Sequence, residues 1–88
     1  MIKVKDMGED WGKPLFLIYG RENCMHCVGA KLFLKTKDYE FVYVDINVDV
    51  DADKKAKIIS DSGMRTVPII YDKEYRVGGY EELVEYLS

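Results

Sequence analysis

Cys24 and Cys27 stand three residues apart in the run Cys24-Met25-His26-Cys27, and they are the chain's two cysteines. At that spacing one helical turn brings both sulfurs onto one face, close enough to close a small disulfide ring. A cysteine at a helix start also faces unpaired backbone N–H groups and the positive end of the macrodipole, which favour thiolate over thiol. Such a pair can cycle: Cys24 attacks a substrate disulfide, a mixed disulfide forms, and Cys27 resolves it. Other chemistries suit the residues less well. Structural zinc needs four ligands, and beyond the cysteines the chain has one histidine, His26, on the same short turn. Haem attachment needs a histidine directly after the second cysteine, where Val28 stands. Two inert buried thiols are the bland alternative, seldom met at this spacing behind a strand. No metal is expected.

The pair needs elements on either side to hold it. Leu15-Phe16-Leu17-Ile18-Tyr19 has no polar alternation and ends at Gly20, which predicts a strand covered on both faces. From Cys24 to Lys35 the chain runs without proline, with Lys31 and Lys35 on one face and apolar residues over the rest, which predicts a largely buried helix. Gly29 inside it suggests close packing near the cysteines. Phe41-Val42-Tyr43-Val44 reads as a second strand, parallel to the first across a right-handed crossover. A second helix is expected from about Ala52 to Asp61, with Asp49 or Asp51 as N-cap, Ala56, Ile58 and Ile59 inward, and Gly63 as C-cap. Val67-Pro68-Ile69-Ile70-Tyr71 and Tyr75-Arg76-Val77, joined through Asp72-Lys73-Glu74, read as an antiparallel hairpin ending at Gly78-Gly79. Tyr80, Leu83, Val84 and Leu87 then fall at helical spacing behind Glu81 and Glu82, acids suited to a first turn.

Composition bounds the partners. A chain of 88 residues, 48% hydrophobic and 33% charged, supports one small core and a single domain spanning residues 1–88. Thirteen Lys and Arg against 16 Asp and Glu leave a net charge of −3, which argues against binding nucleic acid or an anionic membrane. No apolar run approaches the roughly 18 residues of a membrane span. The start, Met1-Ile2-Lys3-Val4-Lys5-Asp6, lacks a signal peptide's apolar stretch, so a cytoplasmic location is expected. Residues 1–13 fit none of the elements: Ile2 and Val4 could form a short edge strand, and Trp11 reads as an apolar plug. Asp45-Ile46-Asn47-Val48-Asp49-Val50-Asp51 opens like a calcium loop, but its sixth position is Val50 instead of glycine and its twelfth is Ala56 instead of glutamate. It reads as a strand end, an acidic loop and a cap, followed by a solvated face at Lys54, Lys55 and Lys57.

Four stretches taken in order resemble a dithiol glutaredoxin from about residue 15 to the end: Ile18-Tyr19-Gly20-Arg21-Glu22-Asn23-Cys24-Met25-His26-Cys27, Tyr43-Val44-Asp45-Ile46, Thr66-Val67-Pro68 and Val77-Gly78-Gly79-Tyr80. The resemblance implies an α/β thioredoxin fold over a 15–88 core, with 1–14 as an extension. Its four-stranded mixed sheet runs β-α-β-α-β-β-α with helices on both faces. It further implies a glutathione-dependent thiol–disulfide oxidoreductase that reduces protein or mixed disulfides, ribonucleotide reductase among the acceptors. Glutathione is then the reducing co-substrate, no cofactor is tightly bound, and a monomer is expected. By the same resemblance Val67 pairs its backbone with the substrate like an added strand, and Pro68 carries a cis bond facing Cys24. Thr66 belongs to that segment. Gly78 and Gly79 allow close backbone approach, and the helix start at Tyr80 and Glu81 offers N–H groups to glutathione's γ-glutamyl carboxylate. Glu81 or Glu82 would meet its ammonium, and Arg21 its other carboxylate or the thiolate.

The chain departs from the family pattern between the cysteines, where Met25 and His26 replace the usual proline and tyrosine. His26 as an imidazolium would stabilise the Cys24 thiolate and make the disulfide more oxidising; as a solvated side chain it would do neither. Two alternatives remain open. One is a redoxin reduced by thioredoxin reductase, although such relatives usually carry Ser-Gly-Phe-Arg-Pro where this chain has Val77-Gly78-Gly79-Tyr80-Glu81. The other is a carrier in which Cys24 and glutathione from two chains hold a [2Fe–2S] cluster.

Overall fold

The computed structural model describes residues 13–88, so the expectations for Ile2, Val4 and Trp11 lie outside the described residues. Four strands, β1 (Phe16–Gly20), β2 (Phe41–Asp45), β3 (Ile69–Asp72) and β4 (Tyr75–Gly78), form one sheet in the order β2-β1-β3-β4. Three helices, α1 (Met25–Thr36), α2 (Ala52–Ser62) and α3 (Tyr80–Tyr86), complete the expected β-α-β-α-β-β-α order. β1 pairs in parallel with β2, Ile18 opposite Tyr43, and antiparallel with β3, Ile18 opposite Ile70. The sheet is therefore mixed, and β1 is central.

Alternation along the strands divides the core in two. Phe16 and Ile18 of β1 and Ile70 of β3 point to one face, where they bury Ala30 and Leu34 of α1 and Leu83 of α3. Ile69 of β3 points to the other and packs with Ile46 and with Ile58 of α2, Tyr19 and Tyr71 alongside. Helices thus cover both faces.

Two details differ from expectation. α1 is not largely buried: it sinks only the stripe Cys27, Ala30 and Leu34 and leaves Met25, Val28 and Leu32 exposed. One sheet face and one neighbouring helix can cover only part of a helix, and apolar residues around the remainder face water. In α2 the inward stripe is Ile58, Ile59 and Ser62, and Ala56 is exposed. Of the two candidate N-caps, Asp51 accepts from the Lys54 N–H at 2.8 Å, whereas Asp49 accepts from the Asp45 N–H at 2.8 Å and folds the acidic loop on itself. Gly63, at φ 73°, closes the helix as expected. Among the described residues no cluster of acids, histidine and cysteines could hold a metal ion, and no helix is long and apolar enough to cross a membrane.

The hairpin delivers the chain to α3 through Gly78, whose φ of 123° suits only glycine and whose added Cβ would lie 2.9 Å from the Glu82 Cβ. Gly78→Ala should therefore cost about 1–3 kcal/mol. Each kcal/mol corresponds to roughly 4–8 °C in Tm for a domain of this size. Thermal unfolding measures it, with Gly79→Ala as the contrast, because a Cβ there meets first the flexible end of Glu82 at 3.2 Å.

Candidate active site

β1 ends at Gly20, and the loop after it turns through Asn23, held left-handed at φ 56°, into Cys24. Asparagine tolerates that conformation better than most residues. Cys24 is extended and is itself the N-cap of α1, its Sγ accepting from the Cys27 N–H at 3.2 Å. On its other side the Cys24 thiol donates to the Val67 carbonyl at 3.8 Å, which ties the helix start to the segment before β3. The Val67–Pro68 peptide is cis.

The two thiols differ in environment. Cys24 keeps 9% of its surface accessible and Cys27 only 1%. Cys24 is thus more covered than an open helix start suggests, because Val67 lies across it, yet it remains the thiol a substrate can reach. Burial and a hydrogen bond to Cys24 push the Cys27 thiol up to about 11, against a backbone hydrogen bond and positive charge from Arg21 that act the other way.

Beside Cys24 a groove of about 270 Å³ gathers seven of the expected binding residues. His26 comes from α1, Thr66, Val67 and Pro68 from the segment leading into β3, and Gly79, Tyr80 and Glu81 from the start of α3. Arg21 does not line it; its guanidinium turns back onto the Glu22 carbonyl at 3.4 Å. Met64 and Glu82 do line it. Glu82 accepts from the Gly79 N–H at 2.9 Å, so its carboxylate is committed to capping α3, and Glu81 is left as the acid for a ligand ammonium. Met64 carries no sequence signal beyond its place behind the Gly63 cap.

The side chain of His26 stacks on the Tyr80 ring, centroids 5.7 Å apart and planes 5° from parallel. Phe33 meets the same ring edge-on at 6.4 Å, and a Cβ on Gly29 would lie 3.3 Å from its Cε1. Gly29 is small because Tyr80 sits over it. Sequence reasoning missed Tyr43, whose hydroxyl donates to the Arg21 carbonyl at 3.3 Å. Its signals are its place at the head of the Tyr43-Val44-Asp45-Ile46 stretch and a polar tip on a strand otherwise rich in Phe and Val.

Residues 16–76 match the family model described as Glutaredoxin. The chain belongs to the glutaredoxin family. A solved glutaredoxin from Brucella melitensis is 30% identical, over 86% of this chain and 82% of that one, with a TM-score of 0.70. A buckwheat glutaredoxin–glutathione complex is 16% identical, over 98% of this chain and 79% of that one, with a TM-score of 0.75. The NrdH-redoxin from Escherichia coli, a glutaredoxin-like protein described as having a thioredoxin-like activity profile, is 17% identical, over 84% of this chain and 95% of that one, with a TM-score of 0.67. No curated protein matches the sequence.

The fold is that of the thioredoxin and glutaredoxin proteins, and membership implies thiol oxidoreductase chemistry for the cysteine pair. In this glutaredoxin the histidine between the cysteines meets Tyr80, and among the described residues no hydrogen bond joins it to Cys24. The stacked pair puts two aromatic faces at the groove, where the family pattern has a tyrosine between the cysteines. His26→Tyr is accordingly expected to move the reduction potential by less than about 30 mV, the equivalent of about 1.4 kcal/mol for a two-electron couple. Titration against glutathione buffers measures it, and a larger fall would restore the direct imidazolium effect.

Proposed function

We propose that this glutaredoxin is a glutathione-dependent thiol–disulfide oxidoreductase. The Cys24 thiolate attacks a substrate disulfide, joins one sulfur and releases the other as thiolate. Cys27 then attacks Cys24, closes the internal disulfide and releases the bound thiol. Two glutathione molecules reopen that disulfide, one through a mixed disulfide on Cys24, and leave as glutathione disulfide.

The observation that carries this reading is the placement of Cys24. Its sulfur sits at a helix N-terminus against the Cys27 N–H, beside a groove lined by Val67, Pro68, Gly79 and Tyr80. Glutathione as reductant is supported by three features: the exposed histidine–tyrosine wall, the Glu81 carboxylate at the groove, and the lack of the redoxin motif Ser-Gly-Phe-Arg-Pro after β4. Protein disulfides are the substrates that go with it, that of ribonucleotide reductase among them, and the reducing cytosol is the compartment that fits.

A second reading, reduction by thioredoxin reductase, is favoured by the likeness to the NrdH-redoxin over 95% of that chain. Reduction of a small mixed disulfide separates the two. Turnover is expected with glutathione and glutathione reductase; turnover with thioredoxin reductase alone would transfer the chain to the second reading. Visible absorbance of anaerobically purified protein tests for a glutathione-ligated cluster.

A further inference from the structure

We propose that Tyr43 is a positioning residue for the resolving thiol, its hydroxyl donating a hydrogen bond to Cys27 as that sulfur, in thiolate form, attacks the mixed disulfide on Cys24. The inference rests on the exchange chemistry proposed above. It starts from Gly20, the last residue of β1. A Cβ placed there would lie 2.6 Å from the Tyr43 hydroxyl oxygen and 2.9 Å from Cys27 Sγ. Both atoms converge on one point, and only the missing side chain leaves room for them.

The Arg21 peptide joins the same pair. Its backbone supplies a hydrogen bond to the Cys27 sulfur, and its carbonyl accepts the Tyr43 hydroxyl at 3.3 Å, a long bond for O–H···O and therefore weak. The ring beneath that hydroxyl is held by Lys31, one turn beyond Cys27 on α1, with Nζ 4.0 Å from the centroid. A hydroxyl on a fixed ring, with a weak partner and a sulfur next to it, can exchange one acceptor for the other.

The need for a donor follows from burial. Cys27 must carry charge when it attacks, and at 1% exposure water cannot solvate that charge. The groups that face Cys27 or the phenol are Cys24, Arg21, Lys31 and Asp45. Burial, with Cys27 close by, also pushes the Tyr43 phenol up to about 12, so it keeps its proton and acts as donor throughout. The step balances without it. The Cys27–Cys24 bond forms, the bond from Cys24 to the substrate sulfur breaks, and the Cys27 proton ends on the departing thiol.

The test mixes the reduced full chain with glutathione disulfide, quenches with acid at successive times across a pH series, and follows glutathionyl protein and internal disulfide by mass spectrometry. In Tyr43→Phe, which keeps the ring under Lys31, the pH midpoint should stand about one unit higher. Conversion at neutral pH should be about threefold slower, because about tenfold less thiolate is partly offset by the greater nucleophilicity of a thiolate of higher pKa. A wild-type rate and midpoint overturn the proposal, and so does slower conversion at an unmoved midpoint, which marks a loosened fold. Should Tyr43→Phe not fold, Lys31→Met is the second variant. Its midpoint should rise by less, and an unmoved one overturns the proposal. If the wild-type chain forms no glutathionyl Cys24, the exchange reading fails first and takes this inference with it; if it forms and resolves alike in both proteins, only the inference fails.

Discussion

Cys24→Ser is expected to bring reduction of mixed disulfides down to the uncatalysed background, whatever the reductant. A serine oxygen can still cap α1 by accepting the Cys27 N–H, so the fold should survive the change. It cannot form a disulfide, and Cys27 cannot take over, because it is 1% exposed and its thiol, raised to about 11, stays protonated at neutral pH. Cys27→Ser should behave in the opposite way. The first attack remains, and a mixed disulfide accumulates on Cys24 until glutathione removes it. The sign of the pH effect follows from burial of Cys27: in the intact protein the share of internal disulfide formed from mixed disulfide should rise with pH above neutrality, as more Cys27 ionises. Glutathione-dependent turnover with mass analysis of trapped adducts measures all three. Substantial activity in Cys24→Ser would reverse the assignment of the two sulfurs.

Leu83→Ala should have a large effect on stability, unlike Cys24→Ser. α3 has seven residues, too few to hold a helix in water unaided, and Leu83 is its one buried residue. That side chain is fully covered and packs with Phe16, Ile18, Ala30, Leu34 and Ile70. Truncation should cost about 2–5 kcal/mol, set against the roughly 5–15 kcal/mol that holds a whole domain together. The loss also reaches the site, because Gly79, Tyr80 and Glu81 keep their places through the same anchor. Denaturant unfolding should show a lowered midpoint, and KM for a glutathione mixed disulfide should rise more than kcat falls. Half-buried Val84→Ala is the comparison and should cost much less; equal losses would place the anchor elsewhere.

Periodicity and caps are enough to locate every element of this fold to within a residue or two. The unbroken run ending at Gly20 makes β1 a central strand, and Asp51 and Gly63 bracket α2 with chemistry that few other residues provide. Periodicity does not say which side of α1 meets the sheet. Met25, Val28 and Leu32 are as apolar as Ala30 and Leu34, and only the position of β1 and α3 selects the buried stripe. The site divides in the same way. The cysteine pair is local, so its spacing carries its geometry. Val67 reaches Cys24 across 43 residues of chain through the β1–β3 register, and resemblance to a family was needed to place it there. His26 shows the limit of residue type as a guide. A histidine next to a thiol suggests an electrostatic partner, yet the ring rests on Tyr80, a neighbour that exists only once α3 has docked.

The separation of 43 positions from Cys24 to Val67 also sets an order of events during synthesis. On the ribosome β1, α1 and β2 emerge before β3, so the nascent chain carries both cysteines, in sequence contact with each other, while the carbonyl that will lie across Cys24 has yet to be made. At about 5–20 residues per second the interval is on the order of 2–9 s. Within it the dithiol can exchange with any disulfide it meets, including those of other nascent chains, since the surface that would choose among partners is missing. In the order of synthesis the exchanging pair thus precedes the segment that lies across it.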